Sequence, residues 1–551
     1  MTDVRARTSS GARNGLSFLL CGLGLALALL TASCGNNIFV VGTPVVTLSA
    51  EPGRFTSYIV AIDQIELTGN DGAVVVLPTL NERVDLAHLS SFANLLEAPA
   101  VPIGTYVSAT FILDYSSPTP AYITVDSGGQ AFPVSKLLDV TGAAPTTETV
   151  TVKFDPNNPL VINTNTSSLV AFDIDLEASN TITFTPTGVQ VVVKPFWTVT
   201  SLPVYTKPVY ARGLFVLADT SAGNFVMNVR PLQDVFNNPF GALTVIPSAQ
   251  TYYNIDGVTY TGAAGLAALE ALKGQTSTLQ IAAYGTGSGV GNPFSSLSTI
   301  TPSFNATAVY AGTSLESTVA DQITGIVSAV SGNTLTVMGA AVVTRAGIYG
   351  FQQTATVSVG PATVVSEDGV AGVTLTLGSI SVGQVINVSG QVPVDGAGNP
   401  IVPTVLDATG DSGANIPGHI RLQNTTLFGT LNSATTGSLS LNLLSVDHYE
   451  PTYLNFTGTG SSSALDATAA SYTVNTGSID ESATAAGTLL KIDGMANGYG
   501  MGPPYFTATA ITPASSLPSQ LILEWTNNGS LNPFTVVNSS GIIVNLDDPG
   551  L

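Results

Sequence analysis

The chain has 551 residues, 36 of them acidic and 15 basic, for a net charge of −21; such a surface repels nucleic acid and anionic headgroups, and nucleic acid is set aside as a partner. Charged residues are only 9% and hydrophobic ones 44%, so the chain is no disordered polar polymer and reads as many short strands with neutral outer faces. Its two cysteines, Cys21 and Cys34, both stand near the start, which excludes disulfide staples, thiol redox chemistry and cysteine-ligated zinc from all that follows.

Arg5, Arg7 and Arg13 precede an apolar run from Leu16 to Leu30. The run has signal-peptide length and is short for a membrane-spanning helix. It closes on Thr31-Ala32-Ser33-Cys34 and resembles the lipobox of bacterial lipoproteins. The resemblance implies cleavage before Cys34, lipidation of Cys34 and attachment to a membrane through that lipid anchor. Gly35 rather than Asp follows, which implies export to the outer membrane in a Gram-negative cell. Several acyl chains hold firmly, since each buried methylene adds about 0.8 kcal/mol. Residues 1–33 are then the leader and 34–44 a short linker.

Residues 45–206 read as a β-sandwich. Strands are expected at Val45–Leu48, Tyr58–Leu67 and Ala73–Leu77, the last two joined by a Gly/Asn/Asp turn. Leu86, Leu89, Ala93 and Leu96 share a helical face, so Leu86–Glu97 is expected as a helix, stopped by Pro99 and Pro102. Further strands follow at Tyr106–Tyr115, Tyr122–Val134 (a hairpin), Thr149–Phe154, Leu169–Leu176 and Val189–Val193. Strands with one helix suit an antiparallel sandwich of immunoglobulin-like size. The motifs YIVAIDQIELTGNDG, RVDLAHL, PIGTYVSATFIL, LVAFDIDLEASNTI and GVQVVVKPF resemble an uncharacterised domain of bacterial lipoproteins (domain of unknown function, family 4382) over about residues 45–197. That resemblance implies a secreted β-sandwich and offers no catalytic residues.

Three units of similar plan follow, at 207–316, 317–414 and 415–513. Each opens with a glycine (Gly213, Gly325, Gly429) inside an apolar strand, then a polar turn and a second apolar strand. A later glycine (Gly274, Gly383, Gly487) precedes another strand, and an Ala/Thr-rich strand closes each unit. A spacing near a hundred residues is domain duplication, longer than solenoid periods of about 20–50 residues. The expected fold of each unit is a small OB-like β-barrel. GIVSAVSGNTLTVMG, LTLGSISVGQVINVSGQV and VLDA in the second unit resemble a second uncharacterised bacterial domain (domain of unknown function, family 5666). Residues 514–551 are expected to form a β-hairpin or cap. The fold class is thus all-β with few short helices.

No nucleophile elbow, HExxH zinc motif, P-loop, dinucleotide fingerprint or EF-hand loop occurs, and the three histidines, His88, His419 and His448, lie in separate segments. Asp173, Asp175 and Glu177 alternate in FDIDLE, which puts three carboxylates on one strand face about 7 Å apart. They are a candidate Ca²⁺ site or, at glycosidase spacing, a catalytic pair, against the simpler reading of a solvated outer face. Asp447-His448-Tyr449-Glu450 and Asp395-Gly396-Ala397-Gly398-Asn399 offer further ligands or are plain loops. Tyr252, Tyr253, Tyr499 and Tyr505 are candidates for an exposed ligand platform, while Trp197 and Trp525 read as packing residues. No catalytic residue and no cofactor other than Ca²⁺ is expected. The expectation is a lipid-anchored cell-envelope protein, non-enzymatic, binding a polysaccharide or protein or serving in structure or adhesion. A polysaccharide hydrolase and a periplasmic assembly factor are the alternatives.

Overall fold

A computed structural model describes residues 40–545 apart from 52, 79–81, 91, 117–122, 128–129, 165–166, 202, 204, 206, 232–239, 273–278, 286–292, 296–301, 313–314, 316–319, 345–348, 395–404, 411–417, 448, 480, 482–483, 517–533 and 539–540. Cys34 and its leader, Gly274, Asp395–Asn399, His448 and Trp525 therefore lie outside the described residues. The described chain is almost entirely β, with several sheets, small barrels and one α-helix, Ala263–Glu270.

Two sheets form the first unit. One contains Val41–Glu51, Ala93–Glu97, Ser167–Asp175 and Trp197–Thr200; the other is built on Phe55–Gly69 and Gly104–Asp114. Alternation drives their apposition. Phe172 and Ile174 point into the core from one sheet, and Phe111 and Leu113 from the other. Phe111 meets Phe172 edge-on at 4.6 Å and stacks on Trp197 at 4.3 Å between ring centroids. Burying each such ring contributes roughly 2–3 kcal/mol. Val41–Glu51 runs parallel to Ser167–Asp175, so the sandwich is mixed rather than antiparallel throughout.

The helix expected at Leu86–Glu97 does not form. A 3₁₀ turn covers Leu86–Ser90, and Ala93–Glu97 is a strand with all five residues buried. Leu86 and Leu89, three apart, still face the core, as a three-residue turn allows. A short apolar run buried on every side carries no period that separates strand from helix.

The three following units share one ring of five strands, ordered 1-2-3-5-4 and back to 1, with strands 3 and 5 parallel. This is the OB-like arrangement. The first ring is Val209–Asp219, Asn224–Val229, Ala242–Ile255, Gln280–Gly285 and Ser303–Ala311, closed by pairing of its first and fourth strands. The second is Asp321–Ser331, Thr334–Val343, Tyr349–Val359, Val385–Gly390 and Val405–Ala408, completed by a Gln391–Asp407 bridge. The third is Thr425–Thr435, Ser438–Val446, Tyr472–Asn475, Leu489–Ala496 and Phe506–Pro513.

The repeated glycines now have a cause. A Cβ on Gly213 would collide with the Asn228 carbonyl, one on Gly325 would stand 2.6 Å from the Met338 carbonyl, and one on Gly429 would stand 2.8 Å from the Asn442 carbonyl. In every case the obstacle is backbone of the second strand, and the pairing of each hairpin carries a bulge, at the glycine itself for Gly325 and Gly429. Gly383 and Gly487 adopt φ of 86° and 85°. Their amides donate to Val327 and Leu431 at 2.8 and 2.7 Å, each two residues past the opening glycine. Identical bonds at identical offsets mark the second and third units as copies of one plan.

The expected unit boundary at 414/415 moves. His419–Gln423 pairs with Val385–Gly390 and Val364–Glu367 of the second barrel, so the third barrel begins at Thr425. Phe534–Asn538 and Gly541–Val544 form a separate two-stranded sheet near the end.

Candidate functional site

The acidic strand comes first. Asp173 and Asp175 lie on the half-buried face of Ser167–Asp175, but that strand stops at Asp175 and Glu177 lies in the turn beyond. The expected single face of three carboxylates is therefore not built. Asp175 Oδ1 accepts from the Ala178 amide at 2.9 Å, capping its own turn. Glu177 takes the Arg54 guanidinium by Nε at 2.9 Å and Nη2 at 2.6 Å. Asp173 accepts from Ser49 Oγ at 2.5 Å across the parallel pair. The carboxyl that acts on Asp173 is Glu51 of the neighbouring strand, and Lys207 Nζ sits there too, 3.0 Å from Glu51. Burial pushes Asp173 up to about 6; the Lys207 charge and the Ser49 hydrogen bond oppose that rise, and Glu51 adds to it. An ammonium thus stands beside the carboxylates. Among the described residues no group of three or more His, Cys, Asp or Glu is arranged to hold a metal ion.

The expected tyrosine platforms are not platforms. Tyr253 is fully buried inside the first barrel, where its ring lies against Gly265 of the helix. Tyr252 is 3% exposed, and its hydroxyl donates to the Glu367 carbonyl at 2.8 Å. Tyr499 and Tyr505 are half-buried, and their hydroxyls clamp the Thr457 and Leu465 carbonyls, each at 2.8 Å. Strand alternation explains the error: one residue of an adjacent Tyr-Tyr pair must face the barrel interior. Asp447 occupies a left-handed turn position with φ of 46°, as a loop residue does.

The densest chemistry lies instead in the seam between the first and second barrels. Tyr210, Tyr284, Tyr310 and Tyr252 come from four strands of the first barrel and share its outer face. Their rings run in sequence at 4.8 Å (Tyr210–Tyr284), 5.8 Å (Tyr284–Tyr310) and 6.0 Å (Tyr310–Tyr252), and Phe92 continues the row 5.7 Å from Tyr210. Phe92, Tyr210 and Tyr284 are half-buried, whereas Tyr252 and Tyr310 are buried.

The second barrel answers with a polar face. Ile420, Leu422, Ile386, Val388 and Val365 fill its core. Alternation therefore turns His419, Arg421, Asn387, Ser389 and Ser366 the other way, toward the tyrosines. The Arg421 guanidinium lies 4.6 Å above the Tyr310 ring. Asn254 Nδ2 donates to Ser366 Oγ at 2.7 Å, and Ser366 Oγ is 2.8 Å from His419 Nε2. Burial, with Arg421 nearby, lowers His419 to about 3, so its ring is neutral. Burial pushes Asp368 up to about 6 against the opposing pull of Arg421.

Several polar atoms in this seam have no hydrogen-bond partner among the described residues: Arg421 Nε and Nη2, Asp368 Oδ1 and Ser389 Oγ. Arg421 is only 3% exposed and Ser389 1%. Unpartnered buried donors and acceptors cost roughly 1–3 kcal/mol each, more when charged, and they cluster here.

Sequence reasoning found Tyr252 and missed Tyr210, Tyr284, Tyr310 and Arg421. Each tyrosine is isolated in its own strand, and only the barrel's register brings Tyr210 opposite Tyr284. Arg421 was hidden by the misplaced boundary. Its alternation with Ile420 and Leu422 in HIRLQ was the available signal.

Compared with protein-family models, with curated proteins and with solved structures, the chain matches none.

Proposed function

We propose that this chain is a lipid-anchored cell-envelope protein, a non-enzymatic binding or structural module carried at the bacterial surface. The observation that carries the reading is how the units are joined. Ala93–Glu97 pairs with Val209–Asp219, so one sheet runs from the sandwich into the first barrel. A single apolar core extends from Val45 to Ala311. The first and second barrels are tied by Tyr252, Asn254 and a Gly372–Thr259 hydrogen bond of 2.9 Å. Ile326 and Val382 of the second barrel lie in the core of the third.

Units fastened in this way hold their outer faces in fixed relation, which suits presentation of a polymer-binding or protein-binding surface. Catalysis by relative motion of units would need looser, more polar junctions. The lipobox-like stretch ending at Cys34 supports placement in the envelope.

Metabolic labelling with an alkyne fatty acid tests the anchor. The wild-type chain should carry label and Cys34→Ser should carry none; an unlabelled wild-type chain overturns the reading. The hydrolase alternative keeps one favourable observation, the Asp173–Glu51 carboxyl pair. If it holds, Asp173→Asn abolishes polysaccharide turnover while the fold survives.

A further inference from the structure

The seam between the first two barrels carries more than a junction needs. Tyr252, Asn254, Ser366 and His419 already satisfy one another there. Arg421 does not share in that network. Among the described residues its side chain makes one hydrogen bond, a 3.4 Å contact from Nη1 to Asn387 Oδ1. Its other edge, Nε with Nη2, presents two parallel donors, the geometry that matches both oxygens of a carboxylate. Asp368 does not fill that fork: its carboxyl interacts with the Tyr310 hydroxyl, and Oδ1 is unpartnered. Ser389 supplies a further free hydroxyl on the same face of the second barrel. From Tyr310 the row of rings continues through Tyr284 and Tyr210 to Phe92, all three half-buried.

We propose that this seam binds a carboxylate-bearing sugar, a uronate, with the carboxylate on the Arg421 fork. Ligand hydroxyls then exchange hydrogen bonds with Ser389 Oγ and Asp368 Oδ1, and the sugar's C–H face lies against the tyrosine rings. A plain carboxylate would use the fork alone. A neutral sugar would use the rings and hydroxyls and leave the guanidinium unpaired. The ligand class rests on the binding reading above, but the site is tested separately from it.

Isothermal titration on the detergent-solubilised full chain decides the matter, with four probes: galacturonate, oligogalacturonate, oligogalacturonate methyl ester and acetate. The free acids should bind, and the ester should bind at least about tenfold more weakly, the loss expected for one charge-assisted pair. Acetate should be weaker than galacturonate. Arg421→Gln should lose binding as the ester does, and Arg421→Lys should keep part of it, since the charge stays and the fork goes. Equal binding of acid and ester overturns the proposal, as does no binding by any probe, and acetate matching galacturonate removes the sugar. The comparison of acid and ester needs no variant, so it stands even if Arg421→Gln fails to fold. Failure of all four probes leaves the fatty-acid labelling result untouched, so loss of this site and loss of the envelope reading are distinguishable.

Discussion

Single residues in this chain pay for position, and Glu97 is the clearest. It is fully buried in the strand that links sandwich to barrel, and neither carboxyl oxygen has a hydrogen-bond partner among the described residues. Burial alone pushes its pKa well above 4.5, so the folded chain holds the proton more tightly than the unfolded one. A carboxyl raised in this way leaves stability fullest below its unfolded value near 4.5 and erodes it as pH rises toward the folded value. Glu97→Met removes the buried polar group and keeps the volume. It should therefore stabilise the chain by about 1–3 kcal/mol in mildly alkaline buffer, with the gain shrinking toward pH 5. Denaturant midpoints at the two pH values check this, and a gain independent of pH contradicts it.

At the scale of elements, the first hairpin of each barrel depends on close approach of two backbones. Gly325→Ala forces a methyl to within 2.6 Å of the Met338 carbonyl, and overpacking of this kind costs about 1–3 kcal/mol. Ala substitution at Gly332, a turn glycine of the same hairpin with φ of 57° and open space around it, acts through its left-handed backbone alone. The two thermal shifts should differ, Gly325→Ala being the larger; equal shifts contradict the close-approach account. Much of this level was legible beforehand. Gly213, Gly325 and Gly429 announced three copies, and strand periodicity located most strands. What failed had no local signal. Ala93–Glu97 is buried on all sides, so its period said nothing, and His419–Gln423 belongs to the second barrel through pairing with Val385–Gly390. The candidate site failed for the same reason. Tyr210, Tyr284, Tyr310 and Arg421 are distant in sequence and meet only through register and packing of two barrels.

The whole molecule is held by its junctions, and Gln384 is the centre of one. It is fully buried, its Nε2 donates to the Val385 carbonyl at 3.0 Å and Thr425 Oγ1 at 3.1 Å, and its Oε1 accepts from the Ala496 amide at 2.9 Å. The second and third barrels should therefore unfold in one calorimetric transition. Gln384→Ala, which orphans these partners at a cost of about 1–3 kcal/mol, should split it. Two separate transitions in the unaltered chain would contradict that coupling. On the reading proposed above, joined units would present a fixed surface outward from a membrane anchor. The most direct test is protease accessibility on intact cells, followed with an antibody against the third barrel. Digestion without lysis is the predicted result and places the barrels outside. Protection until the outer membrane is opened would contradict surface presentation and turn the account toward a periplasmic assembly factor.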